Sequence, residues 1–140
     1  MADLSNTDKL KLEKLLGMES GYVLDFSNRS FEQFVLENTG RNIYSKGYDV
    51  NGTSKANRLR TFWIINNNDI VGKLIEALLE RFKTIKQINN QSLTFNEQSL
   101  YDDCFSIVTR LTSKNQPFIK SNQNTSKYFL SAAQLLNTDN

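Results

Sequence analysis

One stretch of the chain constrains its fold more than any other. Apolar side chains recur at Ile70, Val71, Leu74, Ile75, Leu78, Leu79 and Phe82. Spacings of three and four residues place all seven on one side of an α-helix and leave Glu76 and Glu80 opposite. A strand would scatter the same residues over both faces of a sheet. A helix with so long an apolar stripe is stable only when other elements cover it. Asn68 and Asp69 supply a cap and an acidic first turn. Glu80 and Lys83 have the spacing of an interacting pair. Gly72 costs about 1 kcal/mol against Ala in a helix, and close packing on the preceding helix would account for it.

The rest of the chain reads as the covering. Leu10, Leu12, Leu15 and Leu16 form a short helical stripe, capped by Ser5, Thr7 or Asp8 and closed by Gly17. Met18 to Asn28 has no helical period and reads as an extended segment or a short strand. Ser30 and Gln33 have capping-box spacing before Phe31, Phe34 and Val35, which predicts a second helix over Phe31 to Thr39, ended by Gly40. Arg41 to Thr53 reads as a loop with aromatic anchors Tyr44 and Tyr48 and a turn at Asn51-Gly52. Thr53-Ser54 caps a third helix, with Ala56, Leu59, Phe62 and Trp63 on one face. The run Asn66 to Asn68 breaks it. Lys86 to Thr94 is a polar connection. Thr94 or Asn96 then starts a helix through Leu100, Cys104, Ile107, Val108 and Leu111. Lys114 to Ser126 is polar and holds the one proline, Pro117. Lys127 to Leu136 has the composition of a last short helix. The expected fold is therefore all-α or mainly α: four to six short helices in a bundle, with room for one short β-hairpin near residues 20–50. Residues 1–86 read as one helical module. Residues 87–140 read as a linker plus C-terminal helices that either pack on it or begin a following segment.

Composition removes several chemistries. The 140 residues include no His and one Cys, so the commonest general base and metal ligand is missing and no internal disulfide or cysteine-rich zinc site can form. No GxGxxG or GxxxxGK[ST] occurs, and Gly47, Gly52, Thr53, Ser54 and Lys55 are in the wrong order for a phosphate loop. Asp102 and Asp103 are adjacent, so on a helix they diverge by about 100° and do not converge on one ion. Cys104 lies on an apolar helix face with no base to activate it. No catalytic, cofactor-binding or metal-ligating residue is expected. The N-terminus lacks the pattern of a secretory leader, and no apolar run approaches the roughly 18 residues of a membrane span. The expected compartment is the cytoplasm, with no membrane partner.

Charge is uneven. The net charge is +2, yet Arg41 to Lys86 holds nine basic residues against Asp49, Asp69, Glu76 and Glu80. Lys55, Arg58, Arg60, Lys73, Arg81, Lys83 and Lys86 are candidate contacts for an anionic partner. Phe62, Trp63, Tyr44 and Tyr48 could stack bases beside them, or fill the core as large rings usually do. Asp25, Asn28, Arg29 and Ser30, lying between Phe26 and Phe31, read as a structural polar network. Asp25 and Arg29 are its expected partners, reaching towards Lys55 or Arg58.

The segments LEKLLGMESGYVLDFSNRSFEQF, GTSKANRLRTFW and VGKLIEALLE resemble the N-terminal module of bacterial proteins with an abortive-infection-type C-terminal domain. The matching positions are Gly17-Met18, Gly21 to Arg29, Phe31, Phe34, Gly52, Ser54 to Arg60, Phe62-Trp63 and Val71 to Glu80. The likeness covers about Leu12 to Arg81. It implies a phage-defence context, a multidomain parent and a module that positions or regulates a partner, and it supplies no catalytic residue. The expected function is thus a non-enzymatic protein-interaction or regulatory module, contacting a protein partner or itself through exposed parts of the Lys55–Trp63 and Ile70–Phe82 helices. The alternative is a nucleic-acid-binding module that uses the basic helix around Lys55 to Arg60.

Overall fold

The computed structural model describes residues 1–113. They form five α-helices and a single 3-10 turn, with no strand among them: α1 (Asn6–Leu15), the turn Met18–Ser20, α2 (Asn28–Thr39), α3 (Lys55–Ile65), α4 (Asn68–Ile88) and α5 (Phe95–Ser113). The expected helical bundle is present. The expected room for a hairpin is taken by the 3-10 turn, α2 and irregular loops, and the Asn51-Gly52 turn joins no strands. The proposed last helix over Lys127 to Leu136 lies outside the described residues.

α4 is the central element. Val71, Leu74, Ile75, Leu78, Leu79 and Phe82 are all buried, and burial of each such side chain is worth about 1.5–3 kcal/mol. α5 covers one side of this stripe and α2 another, while α1 packs on α5. α4 also runs on to Ile88, so the first residues of the expected linker are helical. The buried residues of α5, Cys104, Ile107, Val108 and Leu111, belong to the same core as those of α1 to α4.

The helix ends show local chemistry that the sequence left ambiguous. Ser5 caps α1 in a reciprocal box with Asp8. α2 starts at Asn28 because Ser27, in extended geometry, accepts from the Ser30 amide while Ser30 Oγ accepts from the Ser27 amide. Ser30 is therefore the third helical residue of α2, where the sequence placed the cap. Asn67 caps α4, one residue earlier than expected. Thr94 and Glu97 exchange side-chain to backbone bonds at the start of α5. Leu10 differs from the expected stripe: it is 66% exposed, because α1 turns only Leu12, Leu15 and its C-terminal end inward.

Gly72 has a packing role, but the neighbour is α5 and not the preceding helix. A Cβ at this position would lie 2.7 Å from Thr112 Cγ2 and 3.3 Å from Leu111 Cβ. Helix propensity favours Gly72→Ala by about 1 kcal/mol. Thr112 is stiff at χ1 and bonded to Val108 O, so the overlap outweighs that gain. Gly72→Ala should lower the urea midpoint. Gly72→Ala with Thr112→Ser, which removes the opposing methyl, should restore it to the parent value or above. A single variant more stable than the parent would show that the two helices do not meet this closely.

Candidate functional site

The seven basic residues singled out in the sequence do not assemble into one surface. They divide between α3 and α4, and most are held by intramolecular partners. Lys55 is only 8% exposed, and its ammonium sits 4.9 Å from the Tyr22 ring centroid. It is a covered side chain where a surface contact was expected. The Arg58 guanidinium stacks over Tyr44 at 4.4 Å and donates to the Ile43 and Thr53 carbonyls. Arg60 Nε meets Glu13 at 2.9 Å and a second nitrogen donates to Asn57. Arg81 meets Asp25 at 3.2 Å and lies 4.2 Å over the Phe26 ring. Lys83 stands 4.6 Å over Tyr101. Lys86 bridges to Glu97 at 2.8 Å. Lys73 and Lys83 are the two of the seven that are exposed with no ion pair among the described residues.

The polar cluster at the start of α2 also divides. Asp25 pairs with Arg81, 56 positions away, and not with Arg29, which is exposed and forms no ion pair among the described residues. Asn28 Oδ1 accepts from the Tyr44 hydroxyl at 2.8 Å. Because Arg58 stacks on that tyrosine, the expected reach to Arg58 is made by Asn28 through Tyr44. Ser30 serves the cap alone. Three of the four aromatic side chains considered for base stacking are core, and Tyr44 is half-buried beneath Arg58. Phe62 and Trp63 are fully buried, and Tyr48 stacks on Phe62 at 5.6 Å. Cys104 is buried, and burial pushes its thiol up to about 12, the state of a structural thiol and not a nucleophile. Among the described residues no three His, Cys, Asp or Glu side chains are grouped to hold a metal ion. No helix there is long and apolar enough to cross a membrane. The helix faces expected as contact surfaces are themselves core: Leu59, Phe62, Leu74 and Leu78 are inaccessible.

No protein-family model, no curated protein and no solved structure matches this chain.

α5 packs on α4 and α1 and leaves its remaining side exposed. Lys11–Asp103 at 3.1 Å and Arg110–Asp8 at 2.8 Å fasten it to α1. Tyr101 fastens it to α4, stacked on Phe82 and covered by Lys83. Burial raises the Tyr101 hydroxyl above its ordinary value, and Asp102, Glu80 and Glu76 add to that rise. These contacts use the charged flanks and leave an outward face of different character. Phe95 is 87% exposed and Phe105 is 44% exposed, and the Phe105 ring continues the stack from Tyr101 at 6.4 Å. Gln98, Ser99, Asp102, Ser106 and Thr109 complete the face, all exposed. Asp102 is its one charged residue. The outward side of α4, by contrast, presents Lys73, Glu76, Glu80 and Lys83. This face is absent from the sequence expectations, because its residues are mixed in polarity while the inward stripe is apolar. The signal was available: positions 95, 98, 102, 105 and 109 repeat at three and four.

Acid should loosen the fastening of α5. Its first-turn carboxyl, Glu97, is held below its ordinary 4.5 by the Lys86 ammonium and by the Thr94 amide. A carboxyl with a lowered folded pKa contributes stability above its unfolded value and loses it as the pH falls through the folded value. Glu97→Gln should be less stable than the parent at neutral pH. The two thermal midpoints should converge as acid titrates from pH 4.5 downward. Parallel midpoint-against-pH curves would show that Glu97 is not coupled to folding.

Proposed function

We propose that the chain is a non-enzymatic protein-interaction module whose contact surface is the outward face of α5. The supporting observation is the composition of that face: exposed aromatic side chains with a single charge, on a helix whose other charges are paired within the molecule. Depletion of charge and enrichment in aromatic residues mark the centres of protein interfaces. Exposed Phe is costly in water, and a cover for Phe95 and Phe105 recovers apolar burial. The resemblance over Leu12 to Arg81 supplies the proposed context, a regulatory module in bacterial phage defence acting in the cytoplasm.

The nucleic-acid alternative lacks an observation in its favour, since Lys55, Arg58, Arg60, Arg81, Lys83 and Lys86 already have intramolecular partners. Such partners compete with phosphate, and a phosphate-driven mode needs several free cations on one surface.

The test is a photo-crosslinking phenylalanine analogue placed at position 105, with position 46 in the exposed loop as control. In its native cells the protein should give a discrete protein adduct from position 105 and none from position 46. Equal yields from the two positions, or no adduct from either, would overturn the assignment. A companion titration with duplex DNA and single-stranded RNA at about 50 mM salt should show no binding. Retention there that vanishes near 200 mM would instead establish a phosphate-driven function.

A further inference from the structure

The partner of the α5 face can be specified further, on the premise that this face is the contact surface. The outward residues Phe95, Gln98, Asp102, Phe105 and Thr109 are spaced three, four, three and four apart, the a/d repeat of a helix seam. This seam is separate from the inward one at Cys104, Val108 and Leu111, which is buried against the bundle. Its arrangement is symmetric. Phe95 and Phe105 are equidistant from position 100, and so are Gln98 and Asp102. An antiparallel copy of the same helix, related by a two-fold axis level with Leu100, would set Phe95 against Phe105 and Gln98 against Asp102. Antiparallel seams pair a with d positions, which is how these residues fall. Within one chain Gln98 Nε2 already donates to Asp102 Oδ1 at 2.9 Å, so the amide and carboxylate are matched donor and acceptor, and across the axis the same pair would occur twice. A strongly charged partner would find only Asp102 to answer it. A second copy finds a nearly neutral face with aromatic side chains at both ends and a complementary polar centre.

We infer that the α5 face joins two copies of this chain in an antiparallel dimer, with Phe95–Phe105 contacts at the ends and Gln98–Asp102 hydrogen bonds at the centre. The polar centre fixes register and orientation at some cost in affinity, as single polar residues in helix seams do. The seam is one helix wide and about 21 Å long, from Phe95 to Thr109 at 1.5 Å per residue. That is less area than the roughly 800 Å² per partner of a standard interface, so the dimer is concentration-dependent.

Sedimentation velocity over a concentration series of the full chain should show a monomer–dimer equilibrium. Phe105→Glu and Phe95→Glu should each raise the dissociation constant at least about tenfold, with unchanged helicity because both rings are exposed. Gln98→Lys should tighten the dimer by facing Asp102, and Gln98→Glu should weaken it. Thermal midpoints measured at dilutions where the chain is monomeric separate this from the effect of the same charges within one helix. Register is read by mixing Phe95→Cys and Phe105→Cys chains under mild oxidation, where the 95–105 disulfide should form in preference to either same-position product. A monomer at every concentration, a dimer indifferent to both Phe→Glu changes, or same-position disulfides alone would overturn the inference. A monomer in solution together with a position-105 adduct to a different protein would overturn the second copy as partner while sparing the interaction function. No adduct at all would remove both.

Discussion

The burial of α4 is the constraint on which the other elements depend. Its stripe runs from Val71 to Phe82 and is closed over by α2 and α5 on different sides. Neither neighbour could pack if the helix were interrupted. Gly72 then acquires a meaning that propensity alone does not give. A residue that weakens the helix is kept where it lets α5 approach within the reach of the Thr112 methyl. The helical weakness is local, whereas the close approach extends the contact between the two longest helices of the described chain.

Around this core, cations act largely as covers for aromatic side chains. Arg81 spreads over Phe26 while its nitrogens hold Asp25, so one side chain closes the α2–α4 junction by apolar contact and by charge. Arg58 does the same for the loop between α2 and α3, lying on Tyr44 and donating to two loop carbonyls. Guanidinium groups suit this use because they are planar, weakly hydrated and rich in donors. The local excess of positive charge between Arg41 and Lys86 is therefore in large part a packing feature. Surface ion pairs between exposed groups are worth little. Arg81 and Arg58 owe more to the rings they shield than to Coulomb attraction in water.

These points explain what could be read from the chain and what could not. α4 and the inward side of α5 were legible because their apolar residues repeat at helical spacing over several turns. The third helix was legible for the same reason, from Ala56 to Trp63. Helix starts were less so, since Asn, Ser and Thr are frequent and several adjacent residues can accept from the same amides: Ser27 and Ser30 are both in reach, and only the backbone geometry selects Ser27 as the cap. Leu10 lies off the buried stripe, because nearness in sequence does not fix the side of the helix on which a leucine falls. The pairing of Asp25 with Arg81 was invisible, as nothing local joins positions 56 apart. The same holds for Lys55, whose burial depends on Tyr22 coming from another segment. The α5 face was legible in principle, but its seam holds Gln, Asp and Thr beside two Phe, and a search for apolar periodicity passes over it.

α5 thus carries two seams with different demands. The inward one is apolar and holds the helix to the bundle whatever else happens. The outward one is mixed: its central polar pair can be satisfied by water or within the helix, as the Gln98–Asp102 bond shows. A wholly apolar outward seam would make association obligatory and the free chain prone to aggregate. A wholly charged one would give no reason to associate. In the proposed dimer, two exposed rings around a hydrogen-bonding centre lie between these limits, so that local concentration decides between the free and the covered states. The salt bridges to α1 matter in the same way. By consuming Asp103 and Arg110 on the flank of α5, they fix the helix axis and leave the outward face nearly neutral, so that one set of contacts both anchors the surface and defines its chemistry.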